Sequence, residues 1–232
     1  MVYCCSDIHG EYDKYLKLIK KIKLKEEDTL FILGDVIDRG EKSIEVLQDM
    51  MYRANVIPIL GNHEYIAIQI LPLLMQEITE ENISEFNEEF VKGLLEWLNI
   101  GGQSTIDGFK KLSKDDKQDM INYLMEFSLY EEVRVNENDY ILVHAGLSNF
   151  SPERRISDYE LYEVIFERPE YYLTYFKDKY LVTGHTPTRF IEDNEKPDFI
   201  YKGNNHIAID CGAIFGGKLA AICLDTGEEF YI

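Results

Sequence analysis

Gly34-Asp35-Val36-Ile37-Asp38-Arg39-Gly40 is the stretch on which the reading of this chain turns. It follows the apolar run Leu30-Phe31-Ile32-Leu33. It precedes a segment with Ile44, Leu47, Met50 and Met51 on one helical face. Two carboxylates and a guanidinium therefore stand where a strand ends and a helix begins. In open α/β sheets ligands bind at that edge. Four further segments carry Asp, His or Asn in comparable positions: Asp7 with His9, Asn62 with His63, His144, and His185.

Working outward, Val2-Tyr3-Cys4-Cys5 reads as a buried strand ending in Ser6-Asp7-Ile8-His9-Gly10. Residues 11–23 then carry Tyr15, Leu16, Ile19 and Ile22 at helical spacing. Val56 to Leu60 reads as a third strand, ending in Gly61-Asn62-His63-Glu64. Three successive strands, each ending in a polar cluster and leading into a helical pattern, predict a layered α/β fold. Residues 65–128 read instead as a mostly helical insertion packed beside the core, with Pro72 interrupting or starting a helix. Helices are expected over 82–98, on Phe86, Phe90, Leu94 and Leu98, and over 114–127, opened by Ser113 and Asp116. Gly101-Gly102-Gln103-Ser104-Thr105 between them reads as a loop.

The second half returns to strands. Leu129 to Val135 and Tyr140 to Val143 predict a hairpin whose longer loop is Asn136-Glu137-Asn138-Asp139. The second of these strands ends in His144-Ala145-Gly146. A short helix over 157–167, opened by Ser157 and Glu160, precedes a strand over 180–183 that ends in Gly184-His185-Thr186-Pro187. Strands over 206–210, 218–224 and 228–232 close the chain. No Pro/Gly/Ser-rich linker interrupts it, so 1–232 reads as a single domain.

Composition narrows the function. The chain has 232 residues, 45% of them hydrophobic, and a formal net charge of -19. That apolar content predicts a packed core. The acidity disfavours duplex nucleic acid and anionic lipid as partners. It leaves room for a small phosphate ester, because bound divalent cations reverse the charge locally. Cys4, Cys5, Cys211 and Cys223 form no CxxC pair and read as buried, reduced thiols of a reducing compartment. No apolar run is long enough to span a bilayer, and no signal peptide precedes the first strand. A cytoplasmic protein is expected.

A mixed Asp/His/Asn set points to transition metals rather than to purely oxygen-loving ions. Asp35, central among the clusters, is the natural bridge between two ions. Asp7 and His9 complete one shell; Asn62, His144 and His185 complete the other. A water bridging two such ions is deprotonated near neutral pH and can attack phosphorus in line. His63 is placed to protonate the leaving oxygen, with Asp38 orienting it. Arg39 offers a planar fork for phosphate oxygens. Arg168 is read as a second phosphate-binding arginine, in preference to Arg154 and Arg155. The other reading of Asp7, Asp35, Asn62 and Asp38 is as turn or cap residues. Four of the five histidines falling in these motifs weighs against it. His206, the fifth, reads as an ordinary strand-end residue. Trp97 and Gly102 read as packing. Asp210 reads as a partner of a metal-bound histidine or as a turn residue.

The segments SDIHG, GDVIDRG, GNHE, HAG and GHTP, in this order, resemble the signature of the phosphoprotein phosphatase family of calcineurin-like metallophosphoesterases. The match is to the compact bacterial and phage branch, with lambda-type phosphatases and symmetrical diadenosine tetraphosphatases. Ile209-Asp210-Cys211-Gly212-Ala213-Ile214-Phe215-Gly216-Gly217 resembles a further run of that family. Ser6 stands where the family carries Gly. The resemblance implies two divalent ions, manganese foremost with iron or zinc possible, held by the six residues named above. It also implies a His63–Asp38 general-acid pair. The fold expected is an α/β sandwich of two mixed β-sheets flanked by helices. The first functional reading is a protein serine/threonine phosphatase acting on phosphate monoesters. The second is hydrolysis of dinucleoside polyphosphates such as diadenosine tetraphosphate. A third, of another class, is a non-catalytic binding scaffold, disfavoured because His63 and every ligand are intact.

Overall fold

The computed structural model describes residues 1–77, 79 and 82–232. Two five-stranded mixed sheets face each other. The first is built from β1 (Val2–Cys5), β2 (Thr29–Leu33), β3 (Val56–Ile59), β9 (Ala220–Cys223) and β10 (Glu229–Tyr231), in the order β10-β9-β1-β2-β3. Its β1, β2 and β3 are parallel, and β9 and β10 close one edge antiparallel. The second holds β4 (Tyr130–Val135), β5 (Asn138–Val143), β6 (Lys179–Thr183), β7 (Tyr201–Gly203) and β8 (His206–Ala208), in the order β4-β5-β6-β8-β7. Here β5, β6 and β8 are parallel, with an antiparallel strand on each edge.

Side-chain alternation divides the core. In β2, Phe31 and Leu33 point between the sheets, where they join Cys4, Ile59, Leu142, Val182 and Ile207. Leu30 and Ile32 point the other way, onto α1 (Tyr12–Ile22) and α2 (Ser43–Met51), among Leu18, Leu47 and Met50. The outer face of the second sheet, with Ile141, Val143 and Leu181, is covered by Ile156, Tyr159, Val164 and Tyr175. Cys4, Cys5, Cys211 and Cys223 are all free and buried. Among the described residues no helix is long and apolar enough to cross a membrane.

The described residues of 65–128 are mostly helical, as read from the sequence, with revised boundaries. The helix α3 (Asn62–Leu74) carries Pro72 in its last turn, so that proline neither starts nor interrupts it. The helix expected over 82–98 is α4 (Glu88–Ile100): Asn87 caps it, its side chain accepting from Phe90 N at 3.0 Å, and Phe86 stays outside. Residues 103–105 are not a loop. Gly101, at φ 113°, ends α4, and the chain restarts at once as α5 (Gln103–Lys110). Ser113 opens α6 (Lys114–Met125) as expected, accepting from Asp116 N.

Three expectations of the second half change. The hairpin turn is only Asn136-Glu137, because Val135 pairs directly with Asn138 and Asn136 takes a left-handed conformation at φ 55°. The helix over 157–167 shrinks to a 3₁₀ turn at Ile156–Asp158 and α7 (Leu161–Ile165). Glu160, not Ser157, opens α7, its backbone N–H donating to Glu163 Oε2. The three-residue edge strand β7 has no counterpart in the sequence reading.

Candidate active site

Every polar motif follows the carboxyl end of a parallel strand. Asp7 and His9 follow β1, Asp35, Asp38 and Arg39 follow β2, and Asn62 and His63 follow β3. His144 follows β5, His185 follows β6, and Asp210 follows β8. Two sheets face each other, so these ends converge on one edge of the sandwich. The loops are stitched together by backbone bonds: Asp7 N to Gly34 O (3.1 Å), His9 N to Asp35 O (2.9 Å) and Gly184 N to His144 O (2.8 Å). Six of the candidate residues hold left-handed backbone: Asp7, His9, Asp35, Asp38, Arg39 and His185, with φ from 45° to 72°. Such conformations are costly for non-glycine residues and persist where the surroundings enforce them, often at functional sites.

Asp35 lies between two sets of nitrogens. Its Oδ1 is 3.3 Å from His144 Nε2; its Oδ2 is 3.6 Å from His9 Nε2 and 3.8 Å from His63 Nε2. The ligand atoms of His9, Asp35 and His63 converge, and so do those of Asp35, His144 and His185. Asn62 Oδ1 is 3.1 Å from His144 Nε2, which is also 3.1 Å from His185 Nδ1. Two imidazoles have their tautomer set by backbone carbonyls. His9 Nδ1 donates to Ile37 O (2.9 Å) and His144 Nδ1 to Leu33 O (2.7 Å). Each Nε2 therefore presents a lone pair toward Asp35, as a metal-binding imidazole must.

Electrostatics say what this donor set lacks. Burial, and then the facing carboxylates, push the pKa values of Asp35 and Asp7 well above the usual carboxylate range. Burial likewise keeps His9 and His144 well below the ordinary histidine value, and lowers His185 to about 4. Buried carboxylates beside neutral imidazole lone pairs form a pocket short of positive charge. A pair of divalent cations satisfies it, so the residues present fit the two ions that the motifs imply. Asp7 lies outside both converging sets; its Oδ2 accepts from His185 N at 2.9 Å.

The candidate acid pair is locked in place. His63 Nδ1 donates to Asp38 Oδ2 at 2.6 Å, and both side chains are buried. Asp38 accepts two more bonds, from Trp97 Nε1 (2.7 Å) and Thr105 Oγ1 (2.6 Å). Trp97 thus does more than the packing assigned to it, and Thr105 was missed altogether. Arg39 spans the two histidines, with Nη1 2.5 Å from His9 Nε2 and Nη2 3.0 Å from His63 Nε2. Its N–H donates to Gly101 O, and a Cβ at Gly101 would stand 2.7 Å from Arg39 Cγ. That approach, together with the positive φ, explains a glycine at 101.

A further residue went unassigned in the sequence. Glu64, fully buried, accepts from the backbone N–H groups of Asp35 (2.9 Å), Val36 (2.8 Å), Ile37 (3.2 Å) and Gly61 (3.1 Å). It clamps the loop that carries Asp35. Of the candidate second arginines, Arg154 is paired with Glu163 and Arg155 with Asp158. Arg168 is exposed, and its charge helps lower the His185 pKa. Asp210 Oδ1 accepts from Gly212 N, a turn role, and its carboxyl repels that of Asp7. His206 is a buried residue at the start of β8 and has no part in this cluster.

Residues 1–204 match the sequence profile of the calcineurin-like phosphoesterases. The chain belongs to this family. It is a metal-dependent hydrolase of phosphate esters, and its His/Asp clusters could hold the metal. The bis(5'-nucleosyl)-tetraphosphatase PrpE [asymmetrical] of Bacillus subtilis is 28% identical over 92% of this chain and 86% of its own length. The symmetrical bis(5'-nucleosyl)-tetraphosphatase of Wigglesworthia glossinidia brevipalpis is 27% identical over 99% of this chain and 98% of its own. A crystal structure provisionally assigned as a diadenosine tetraphosphatase superposes with a TM-score of 0.68 at 18% identity, covering 100% of this chain and 92% of that one. At that identity the superposition speaks for the fold alone.

Proposed function

We propose that this chain hydrolyses dinucleoside polyphosphates, the second reading of the sequence, rather than phosphoproteins. Two relatives aligned along nearly their whole length are both named bis(5'-nucleosyl)-tetraphosphatases, and that observation carries the choice. In this proposal Asp7, His9 and Asp35 hold one ion, and Asp35, Asn62, His144 and His185 hold the other. The two oxygens of Asp35, facing separate nitrogen sets, support its role as the bridge. Asp7 is preferred to His63 as a ligand because its carboxylate charge acts on Asp35, while the His63 ring is committed through Nδ1 to the Asp38 carboxylate. Manganese suits this mixture of imidazole, carboxylate and amide oxygen, as do iron and zinc.

Once bound, the ions would neutralise phosphoryl charge and supply an activated water as nucleophile. The protein's own groups do the rest. Asp38, held by Trp97 and Thr105, fixes the His63 ring through Nδ1, which leaves Nε2 to deliver a proton to the leaving phosphate oxygen. Arg39 holds two phosphoryl oxygens with its fork, and Arg168 approaches from the His185 side. The test compares initial rates of the Mn²⁺-loaded protein on diadenosine tetraphosphate and on a phosphoserine peptide. Faster turnover of the dinucleotide is expected; faster release of phosphate from the peptide would restore the phosphatase reading.

A further inference from the structure

Beside the His185 half of the site lies a cleft of about 550 Å³ between α3, α4 and α7. Its volume is that of a small-ligand site. One wall is aromatic. Tyr162 and Phe166 are stacked, with centroids 4.6 Å apart and planes at 19°, and Tyr65 meets both edge-on at 6.4 and 6.2 Å. Tyr162 is 61% exposed, so the platform has a free surface. Two links tie it to the reacting centre. Tyr65 stands on the first turns of α3, whose N-terminus carries Asn62 and His63, and the Phe166 carbonyl faces the His185 ring. Arg168 follows Phe166 by two residues and its charge acts on His185, so a cationic group belongs to the same segment as the aromatic wall and reaches the candidate cluster.

The rim opposite carries Glu85, Glu89 and Glu96 against Lys92, which pairs with Glu96 at 3.8 Å, so its net negative charge disfavours a second anionic group. The occupant that fits is planar and uncharged, joined to a phosphate chain that stays beside Arg168. A nucleobase has that form, and bases stack on aromatic side chains without sequence preference.

We infer that Tyr162, backed by Phe166 and edged by Tyr65, is the stacking platform for one nucleobase of the substrate and so a specificity-determining residue. This rests on the dinucleoside polyphosphate reading above. The charged chain then runs from the platform past Arg168 to the His185 side of the site. Binding energy from the base is gained equally in substrate and transition state, so its loss appears in KM and not in kcat.

Two measurements separate this inference from the reading beneath it. With the Mn²⁺-loaded protein and p-nitrophenyl phosphate as reporter, ADP should inhibit at least ~10-fold more tightly than pyrophosphate, in line with the stacking strength of one base. That advantage should vanish in Tyr162→Ala and return in Tyr162→Phe. With diadenosine tetraphosphate, Tyr162→Ala should raise KM by a similar factor and leave kcat within about two-fold. Equal inhibition of the wild type by ADP and pyrophosphate overturns the platform, whatever the wild type does with the dinucleotide. Failure of the wild type to cleave the dinucleotide, with the ADP advantage intact, overturns the substrate reading and leaves the platform standing. A Tyr162→Ala effect on phosphopeptide KM without any ADP preference assigns the cleft to a peptide side chain, and the platform fails.

Discussion

His206 shows how far a histidine's environment decides its work. Four histidines stand at strand ends with nitrogens turned to Asp35 or to one another. His206 begins a strand, stacks on Tyr171 at 4.9 Å, shares a 2.8 Å bond with Thr183 Oγ1, and leaves Nδ1 without a partner among the described residues. Burial lowers its pKa to about 3. In the unfolded chain the value returns to about 6.5. The folded value is the lower one, so the unfolded chain binds the proton first. The stability contributed by neutral His206 is complete above the unfolded pKa and is lost as pH falls from about 6.5 toward 3. Between pH 7.5 and 5.5 this costs the wild type about 1.4 kcal/mol beyond what other groups contribute. Urea unfolding at the two pH values should show that excess in the wild type and not in His206→Gln. Equal pH dependence in the two proteins would remove His206 as its source. At this scale the convergence of the candidate residues was legible because Asp, His and Asn at successive strand ends leave a pattern. Its supports were not. The carbonyls that orient His9 and His144 belong to Ile37 and Leu33, apolar residues with no polar signature. Trp97 and Thr105 reach Asp38 from 59 and 67 residues away.

Elements, rather than single side chains, set the position of the Asp35 loop. The strand β2 delivers it, and the carbonyls of Asp35 and Val36 still accept from His9 and Gly10, but the N–H groups of residues 35–37 would be orphaned in a dry site. Glu64 on the first turn of α3 takes all three, and Gly61 N as well. Gly61 is the N-cap of α3, so one carboxylate both boxes the helix start and closes the neighbouring loop. Glu64→Gln keeps the shape but turns an amide N–H₂ toward two backbone donors. Lost charge-assisted bonds and uncapped donors should lower stability by about 2–4 kcal/mol, with a parallel fall in Mn²⁺ affinity. Chemical denaturation and metal titration of the variant measure both; a loss under 0.5 kcal/mol, the scale of an ordinary surface change, would deny the clamp. The alternation of strand and helix made the α/β class readable, because period-2 and period-3.6 patterns differ plainly here. Element boundaries slipped where glycine or a side-chain cap decided them: Gly101-Gly102 conceals a helix-to-helix corner, and Asn87 moves the start of α4.

The whole molecule carries a formal charge of -19, and at its sheet edge it buries Asp7, Asp35, Asp38, Glu64 and Asp210. Arg39 eases Asp7, Asp35 and Asp210 from within the chain, joined at Asp210 by Arg189. A fold that concentrates carboxylates this way is held against its own repulsion, so cations bound at the site stabilise the native state and not the unfolded chain. The gain follows mass action: at a free Mn²⁺ concentration 100-fold above its dissociation constant it is about 2.7 kcal/mol per ion. For a chain of this length each kcal/mol moves the melting temperature by about 2–4 °C. Adding Mn²⁺ to chelator-treated protein should therefore raise the melting temperature by about 5–10 °C for one ion, and by more for two. Asp35→Asn removes the carboxylate proposed to be shared by the two ions, so it should abolish most of that rise while relieving some repulsion in the metal-free protein. Its metal-free melting temperature is then expected at or above that of the wild type. A variant that melts lower without metal and still gains the full increment with it would show that Asp35 serves packing rather than the ions. Differential scanning calorimetry with and without chelator distinguishes the two directly.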